Sequence, residues 1–229
     1  MSSLIKNDKS EGMEITFISH AAFKLRGNKA CVVTDPFDPE FLKIKFPKIE
    51  ADIVTISHEH PDHNFAEGVD AQPLIIQGPG EYESKGVNIV GVSSYHDDKN
   101  GAERGINTIY RFEMDGISLV HLGDLGHKLS DSQLEQLDGV DILMIPVGGF
   151  YTIPPSLAVE VVNQIEPLVI IPMHYLTQNL KGPEFSKLSG VEVFLKEMGK
   201  EHTEPQAKFN ITKDKKPVET TIVVLTPSV

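Results

Sequence analysis

Four apolar runs of strand length in this sequence stop at a side chain able to hold a metal ion: DIVTIS at His58, VNIVGVSSY at His96, ISLVHLG at Asp124 and LVIIPM at His174. Buried strands hold the loops at their ends rigidly while leaving them open to solvent. The pattern therefore calls for a fold in which distant strand ends meet at one place. The first of these ends carries the densest cluster. In TISHEHPDHNF, Thr55 to Phe65, the side chains of His58, His60, Asp62 and His63 fall within six consecutive residues. Pro61 biases His60 toward extended backbone, so His58 and His60, two apart, face the same side. Asp62 and His63 lie beyond the proline turn and can point to a second position beside the first. The bland alternative is a polar loop with solvated histidines, and four ligand-type side chains in so short a stretch argue against it.

Ten short runs rich in Val and Ile read as strands: EITFIS, KACVVTD, ADIVTIS, PLIIQ, VNIVGVSSY, TIYRFEM, ISLVHLG, DILMIPV, LVIIPM and ETTIVVLT. Each is bounded by turn-forming residues. Ten strands exceed what one ordinary sheet holds, which favours two stacked sheets. Helical patterns fall mainly in the second half, at SDSQLEQL (130–137), PSLAVEVVNQI (155–165) and VEVFLKEMG (191–199). The first opens with capping residues, the second sets Leu157, Val161 and Ile165 on one face, and the third stops at a glycine. Residues 1–12 are expected to be frayed and 13–229 to form one domain, with 199–217 a polar excursion before the last strand.

With 33 acidic against 21 basic residues the formal charge is −12, which speaks against a continuous surface for nucleic acid. The basic run Lys213 to Lys216 reads as a solvated turn. The single cysteine, Cys31, sits among strand formers and reads as a small buried apolar side chain, and no disulfide can form within the chain. The start of the chain has charges where a signal peptide would need an apolar core, and no apolar run is long enough to span a bilayer. The expectation is a cytoplasmic protein that does not engage a membrane and acts on a small molecule; a homo-oligomer is compatible with it.

HEHPDH resembles the His-x-His-x-Asp-His signature of the metallo-β-lactamase superfamily, and His96, Asp124 in HLGD and His174 in PMHY match its later motifs in order. SHAAF (19–23), TDPF (34–37), GPGEYE (78–83) and RGINTIYRFEMDG (104–116) look closest to the branch of L-ascorbate-phosphate lactonase-like and related metal-dependent hydrolases. The resemblance implies an α/β fold, a four-layer αββα sandwich with two metals at the edge shared by its sheets. His58, His60 and His96 would bind the first metal, Asp62, His63 and His174 the second, and Asp124 would bridge them. A nitrogen-and-oxygen shell suits zinc and leaves manganese or iron open. Such a centre, net positive with a bridging hydroxide, would cleave a small anionic lactone, ester or phosphoester. Alternatives are a phosphodiesterase or nuclease of the same superfamily, and a metal-binding sensor without turnover.

Beyond the ligands, Asp35 either orients a ligand histidine, as its counterpart in the family does, or caps the turn before Pro36. His20 either donates to a substrate oxyanion or is a strand-end histidine satisfied by backbone. With Asp62 and Asp124 these two complete the candidate catalytic set. His127 lines the pocket or lies on a surface loop, His121 reads as a satisfied core residue and His202 as exposed. Gly148 and Gly149 permit close substrate approach or simply turn the chain, and GPGEYE shapes the pocket wall or only marks a turn.

Overall fold

A computed structural model describes residues 12–229, so the frayed segment expected over 1–12 lies outside the described residues except at Gly12. Strands β1 (Met13–Ser19), β2 (Ala22–Arg26) and β3 (Cys31–Thr34) form an antiparallel meander. Helix α1 (Pro39–Leu42), β4 (Ile49–Glu50), β5 (Ile53–Ile56), β6 (Val69–Asp70) and β7 (Leu74–Gln77) follow. A second antiparallel run comprises β8 (Gly80–Ser84), β9 (Val87–Tyr95), β10 (Ile106–Met114) and β11 (Ile117–His121). The rest alternates: α2 (Asp131–Gln136), β12 (Ile142–Pro146), α3 (Pro155–Ile165), β13 (Val169–Met173), α4 (Val191–Glu197), β14 (Phe209–Ile211) and β15 (Thr221–Ile222).

One sheet of six strands has the order β14-β1-β2-β3-β5-β7, the other, of seven, β15-β13-β12-β11-β10-β9-β8. Strands β5, β11, β12 and β13 are buried along their whole length, because each has at least one parallel neighbour and is covered on both faces. This is why they read as continuous apolar runs rather than as alternation. Between the sheets, Phe17, Phe23 and Leu25 pack with Ile109, Phe112 and Leu119 in one core. The buried Tyr110 hydroxyl crosses that core, donating to the Ile56 carbonyl (2.9 Å) and accepting from Gly78 N–H (2.9 Å), so the ring adds burial without stranding its polar end.

Helix α2 packs against β9 and α3 against β12 of the seven-stranded sheet, with α4 beside α3. The capping residues expected before α2 form a capping box: the Ser130 hydroxyl accepts from Gln133 N–H at 3.3 Å and Gln133 Oε1 accepts from Ser130 N–H at 3.0 Å. The buried stripe of α3 is Ala158, Val161 and Val162, with Leu157 and Ile165 only partly buried at its edges. The layer over the six-stranded sheet is thinner. Short α1, the β4–β6 pair and loops close a second core around Val33, Phe37, Leu42, Val54 and Phe185.

The structure corrects several local expectations. Fifteen strands form among the described residues instead of ten, since β2, β4, β6, β8 and β14 are too short or too polar to stand out. The polar stretch 199–217 contains β14, which pairs with β1 and closes one sheet edge. Of ETTIVVLT only Thr221–Ile222 is laddered, the next three residues being buried outside the ladder. Cys31 is half-buried rather than interior, at the start of its strand. Among the described residues no helix is long and apolar enough to cross a membrane.

Candidate metal centre

Strands β3, β5, β9, β11 and β13 all leave their sheets at the same end of the sandwich, and their following loops carry Asp35, His58, His96, Asp124 and His174 respectively. Two loops are drawn in by hydrogen bonds from β10. Thr108 N–H donates to the Ser57 carbonyl at 2.9 Å, and Asn107 clamps the Asp124 turn, donating to the Leu122 carbonyl and accepting from Asp124 N–H at 3.0 Å. Two glycines let ligand loops touch. A Cβ at Gly126 would lie 2.3 Å from the His96 carbonyl carbon, and one at Gly148 would lie 2.1 Å from the His174 carbonyl oxygen. Gly148 therefore serves the packing of the His174 loop and not the approach of substrate, and Gly149 turns the chain at φ 66°.

The seven expected ligands come together. Ligand atoms of His58, His60 and His96 lie within 4.8 Å of one another, and so do those of Asp62, His63, His174 and His20. Asp124 stands between the groups: its Oδ2 is 3.1 Å from His174 Nε2, 3.2 Å from His96 Nε2, 3.4 Å from His63 Nε2 and 3.9 Å from His58 Nε2. All but His60 and Asp62 are buried.

Hydrogen bonds behind the cluster set its tautomers. The Asp35 carboxylate accepts from Ser57 N–H (2.8 Å), Ser57 Oγ–H (2.6 Å) and His63 Nδ1–H (2.9 Å). With its proton given to Asp35, Ser57 Oγ accepts from His58 Nδ1–H at 2.9 Å. Both imidazoles are then left with bare Nε2 lone pairs facing inward, the arrangement a metal ligand needs. Asp35 thus holds His63, one of the candidate ligands, and Ser57 instead of capping the turn before Pro36. Ser57 was not singled out in the sequence, although it directly precedes the motif.

A cation fits this donor set. Buried His63 Nε2 and Asp124 Oδ1 have no hydrogen-bond partner, the Nε2 atoms of His96 and His174 both face Asp124 Oδ2, and His58 Nε2 faces His60 Nδ1 at 3.0 Å. Burial opposes charge on His63, yet Asp124, Asp62 and Asp35 overcome it and push its pKa well above the usual histidine value. Burial also works against ionised Asp124 and Asp62, but His174 and His63 on one, and His63 and His20 on the other, hold both carboxyls far below their usual range. Such mutual perturbation is what buried groups show where compensating positive charge belongs.

His20 is not satisfied by backbone. Its Nε2 lies 3.1 Å from Asp62 Oδ2, its ring centre lies 4.0 Å from that of His174 with the planes tilted by 44°, and its carbonyl accepts from His174 N–H at 2.8 Å. Burial and the neighbouring His174 lower its pKa to about 4, against the pull of Asp62. His20, Asp35 and His174 all have positive φ (57°, 40° and 52°), strain of the kind that tightly packed functional sites sustain. His121 is a satisfied core residue, its Nε2 donating to the Ala21 carbonyl and its Nδ1 accepting from Gly123 N–H. His127 accepts from Tyr95 N–H at 3.1 Å and so braces the strand that delivers His96, outside the cavity wall. His202 is exposed.

A cavity of about 360 Å³ opens on the cluster, reaching His60, Asp62, His96, Asp124 and His174. GPGEYE takes no part in it; Gly80–Ser84 is the edge strand of the seven-stranded sheet. A family model described as a Beta-lactamase superfamily domain matches residues 14–174, which contain every residue of the cluster. This chain belongs to the metallo-β-lactamase superfamily. A candidate Zn-dependent hydrolase of that superfamily from Thermotoga maritima is 39% identical in sequence, with a TM-score of 0.77 over 93% of this chain and 98% of its own. A UPF0173 metal-dependent hydrolase of Thermococcus onnurineus is 30% identical, the match covering 78% of this chain and 92% of that one. Another of that name, from Archaeoglobus fulgidus, is 30% identical over 75% of this chain and 88% of its own. None of these names states a substrate.

Asparagine at position 35 keeps the shape but weakens the acceptor of His63 Nδ1–H. Asp35→Asn is expected to retain most of its metal and to hydrolyse about 10- to 100-fold more slowly, the usual cost of losing a partner that orients a ligand. Metal analysis beside kcat decides it; metal loss as complete as in His60→Ala would make Asp35 a ligand itself.

Proposed function

We propose that the chain, a metal-dependent hydrolase of the metallo-β-lactamase superfamily, holds two divalent ions and cleaves a small anionic lactone, ester or phosphoester. The Asp124 carboxylate carries this reading, because one of its oxygens faces histidines of both ligand groups. His58, His60 and His96 would hold one ion, and Asp62, His63 and His174 the other, with Asp124 shared. Zinc suits such nitrogen and oxygen donors, and manganese or iron are compatible with them. Bound ions of this kind supply Lewis acidity and lower the pKa of water from 15.7 to roughly 7.

The chain's own groups do the rest. Asp35 and Ser57 fix the inward lone pairs of His63 and His58, so the donors need no reorganisation during the reaction. His20 donates to Asp62 and holds that carboxylate at the cavity wall, where it faces substrate. Phe41, Phe185 and Tyr151 form an apolar flank that keeps water from the bound molecule. An open cavity supports turnover over a closed sensor site, which would need none. The cavity suits a compact molecule, and two acidic residues on its rim, Glu103 and Glu184, together with a formal charge of −12, favour a small substrate over a nucleic acid.

The test couples metal analysis to a screen. Protein reconstituted with zinc, manganese or iron is expected to bind two ions per chain and to turn over at least one member of a panel of lactones, esters and phosphoesters. A stoichiometry that stays at one or below would overturn the two-ion centre.

A further inference from the structure

The loop between β9 and β10 carries His96 at its start and Arg104 near its end, and it is wound around one buried carboxylate. Asp97 accepts from the backbone N–H groups of Lys99 (2.8 Å), Gly101 (2.9 Å), Glu103 (2.9 Å) and Arg104 (2.7 Å). The loop is closed at its base, where His96 N–H donates to the Gly105 carbonyl at 3.0 Å. Four amides on one carboxylate is a costly arrangement to spend on a surface loop. Its effect is to hold the residues after Asp97 in a fixed place beside a ligand histidine.

Arg104 is the residue so held. Its guanidinium sits 5.9 Å from the centre of the Tyr151 ring, half-buried, on the wall of the cavity that opens on the metal cluster. Among the described residues its side chain makes no ion pair and no hydrogen bond. The neighbouring Glu103 does not occupy it, being paired with Lys99. The Tyr151 hydroxyl donates to the Glu184 carbonyl at 2.8 Å, which steadies the ring beneath the guanidinium. A planar guanidinium braced on an aromatic face, with all its donors free, is preorganised for a two-pronged oxyanion.

We infer that Arg104 is the specificity-determining residue of this site, binding a carboxylate or phosphate group that the substrate carries away from the bond being cleaved. The inference rests on the hydrolase reading above and deepens it. No other cationic side chain lines the cavity among the described residues. Glu184, also on the wall and without an ion-pair partner, disfavours a second anionic group on its side. The substrate is thus anionic at one end, compact or apolar along the Phe41 and Phe185 flank, and presents its scissile bond to the cluster.

Two measurements on the metal-loaded full chain test this. In the first, calorimetric titration with benzoate and with inorganic phosphate compares the wild type with Arg104→Met and Arg104→Lys, with Lys208→Met as a control that removes a distant positive charge. Affinity for at least one probe is expected to fall tenfold or more in Arg104→Met and less in Arg104→Lys, with metal content and melting temperature unchanged. The probe that loses more identifies the carboxylate or the phosphate as the natural group. In the second, kcat/KM is measured on matched pairs of lactones and esters, one member bearing the free anion and the other its neutral methyl ester. The wild-type preference for the anionic member is expected to shrink at least tenfold in Arg104→Met, chiefly through KM, and to persist in Lys208→Met. Equal probe affinity in wild type and Arg104→Met, or an equal loss in Lys208→Met, would overturn the assignment. A chain that binds no metal and hydrolyses no panel member, yet loses probe binding in Arg104→Met, would sink the hydrolase reading and leave the anion site standing.

Discussion

Asp124→Asn is expected to lower hydrolysis by more than about 100-fold, beyond the cost of losing a group that merely orients a ligand, and to weaken one of two bound ions while the fold stays intact. The Asp124 side chain faces four histidine nitrogens and anchors no loop; the turn itself is held through its backbone N–H to Asn107. An amide at this position keeps the volume but removes the negative charge that offsets two cations a few ångströms apart, and it offers one good metal-binding oxygen where the carboxylate offers two. Zinc titration by calorimetry should show one tight and one weak step in place of two tight ones, with an unchanged circular dichroism spectrum. Two tight steps together with near-normal turnover would show that Asp124 is not shared between ions.

Gly148→Ala should be strongly damaging for so small a substitution near the site. The added carbon would sit 2.1 Å from the His174 carbonyl oxygen and 3.0 Å from the Tyr175 Cα, both backbone atoms that cannot rotate away. Overpacking of well-filled interiors costs about 1–3 kcal/mol, and a clash with backbone belongs at the upper end of that range. For a chain of this size each kcal/mol lowers Tm by about 2–4 °C, so a fall of roughly 6–12 °C follows. The relief of the clash must move His174, so the variant should also bind metal less tightly at the Asp62, His63 and His174 group. Thermal melts with and without zinc check both effects. An unchanged Tm and full metal content would mean that the two backbones are not in contact.

The candidate ligand set was legible in the sequence because metal binding demands particular side chains, and three of the four strands that deliver them are buried along their whole length and so appear as unbroken apolar runs. DIVTIS, ISLVHLG and LVIIPM name both their strand and the side chain at its end. The capping residues that open α2 were equally plain, since the signal is local, and the structure completes them into a box between Ser130 and Gln133. Strands such as AFKLR and FNI were not, because AFKLR carries Lys24 and Arg26 inside a paired strand and FNI is a three-residue strand at a sheet edge. Glycine at 148 was visible as a letter, but whether it served substrate or packing depended on a chain segment 26 residues away.

By itself, then, the sequence determined which side chains could hold ions and which strands would carry them, because both follow from residue chemistry and local periodicity. Only the tertiary structure decided what stands behind and beside them. That Asp35 receives the His63 proton, that His20 reaches Asp62, and that Arg104 faces the cavity with its donors free are contacts across the fold. The physical reason is that hydrogen bonds and desolvation act over a few ångströms in space, and segments far apart along the chain acquire those distances only when the two sheets close.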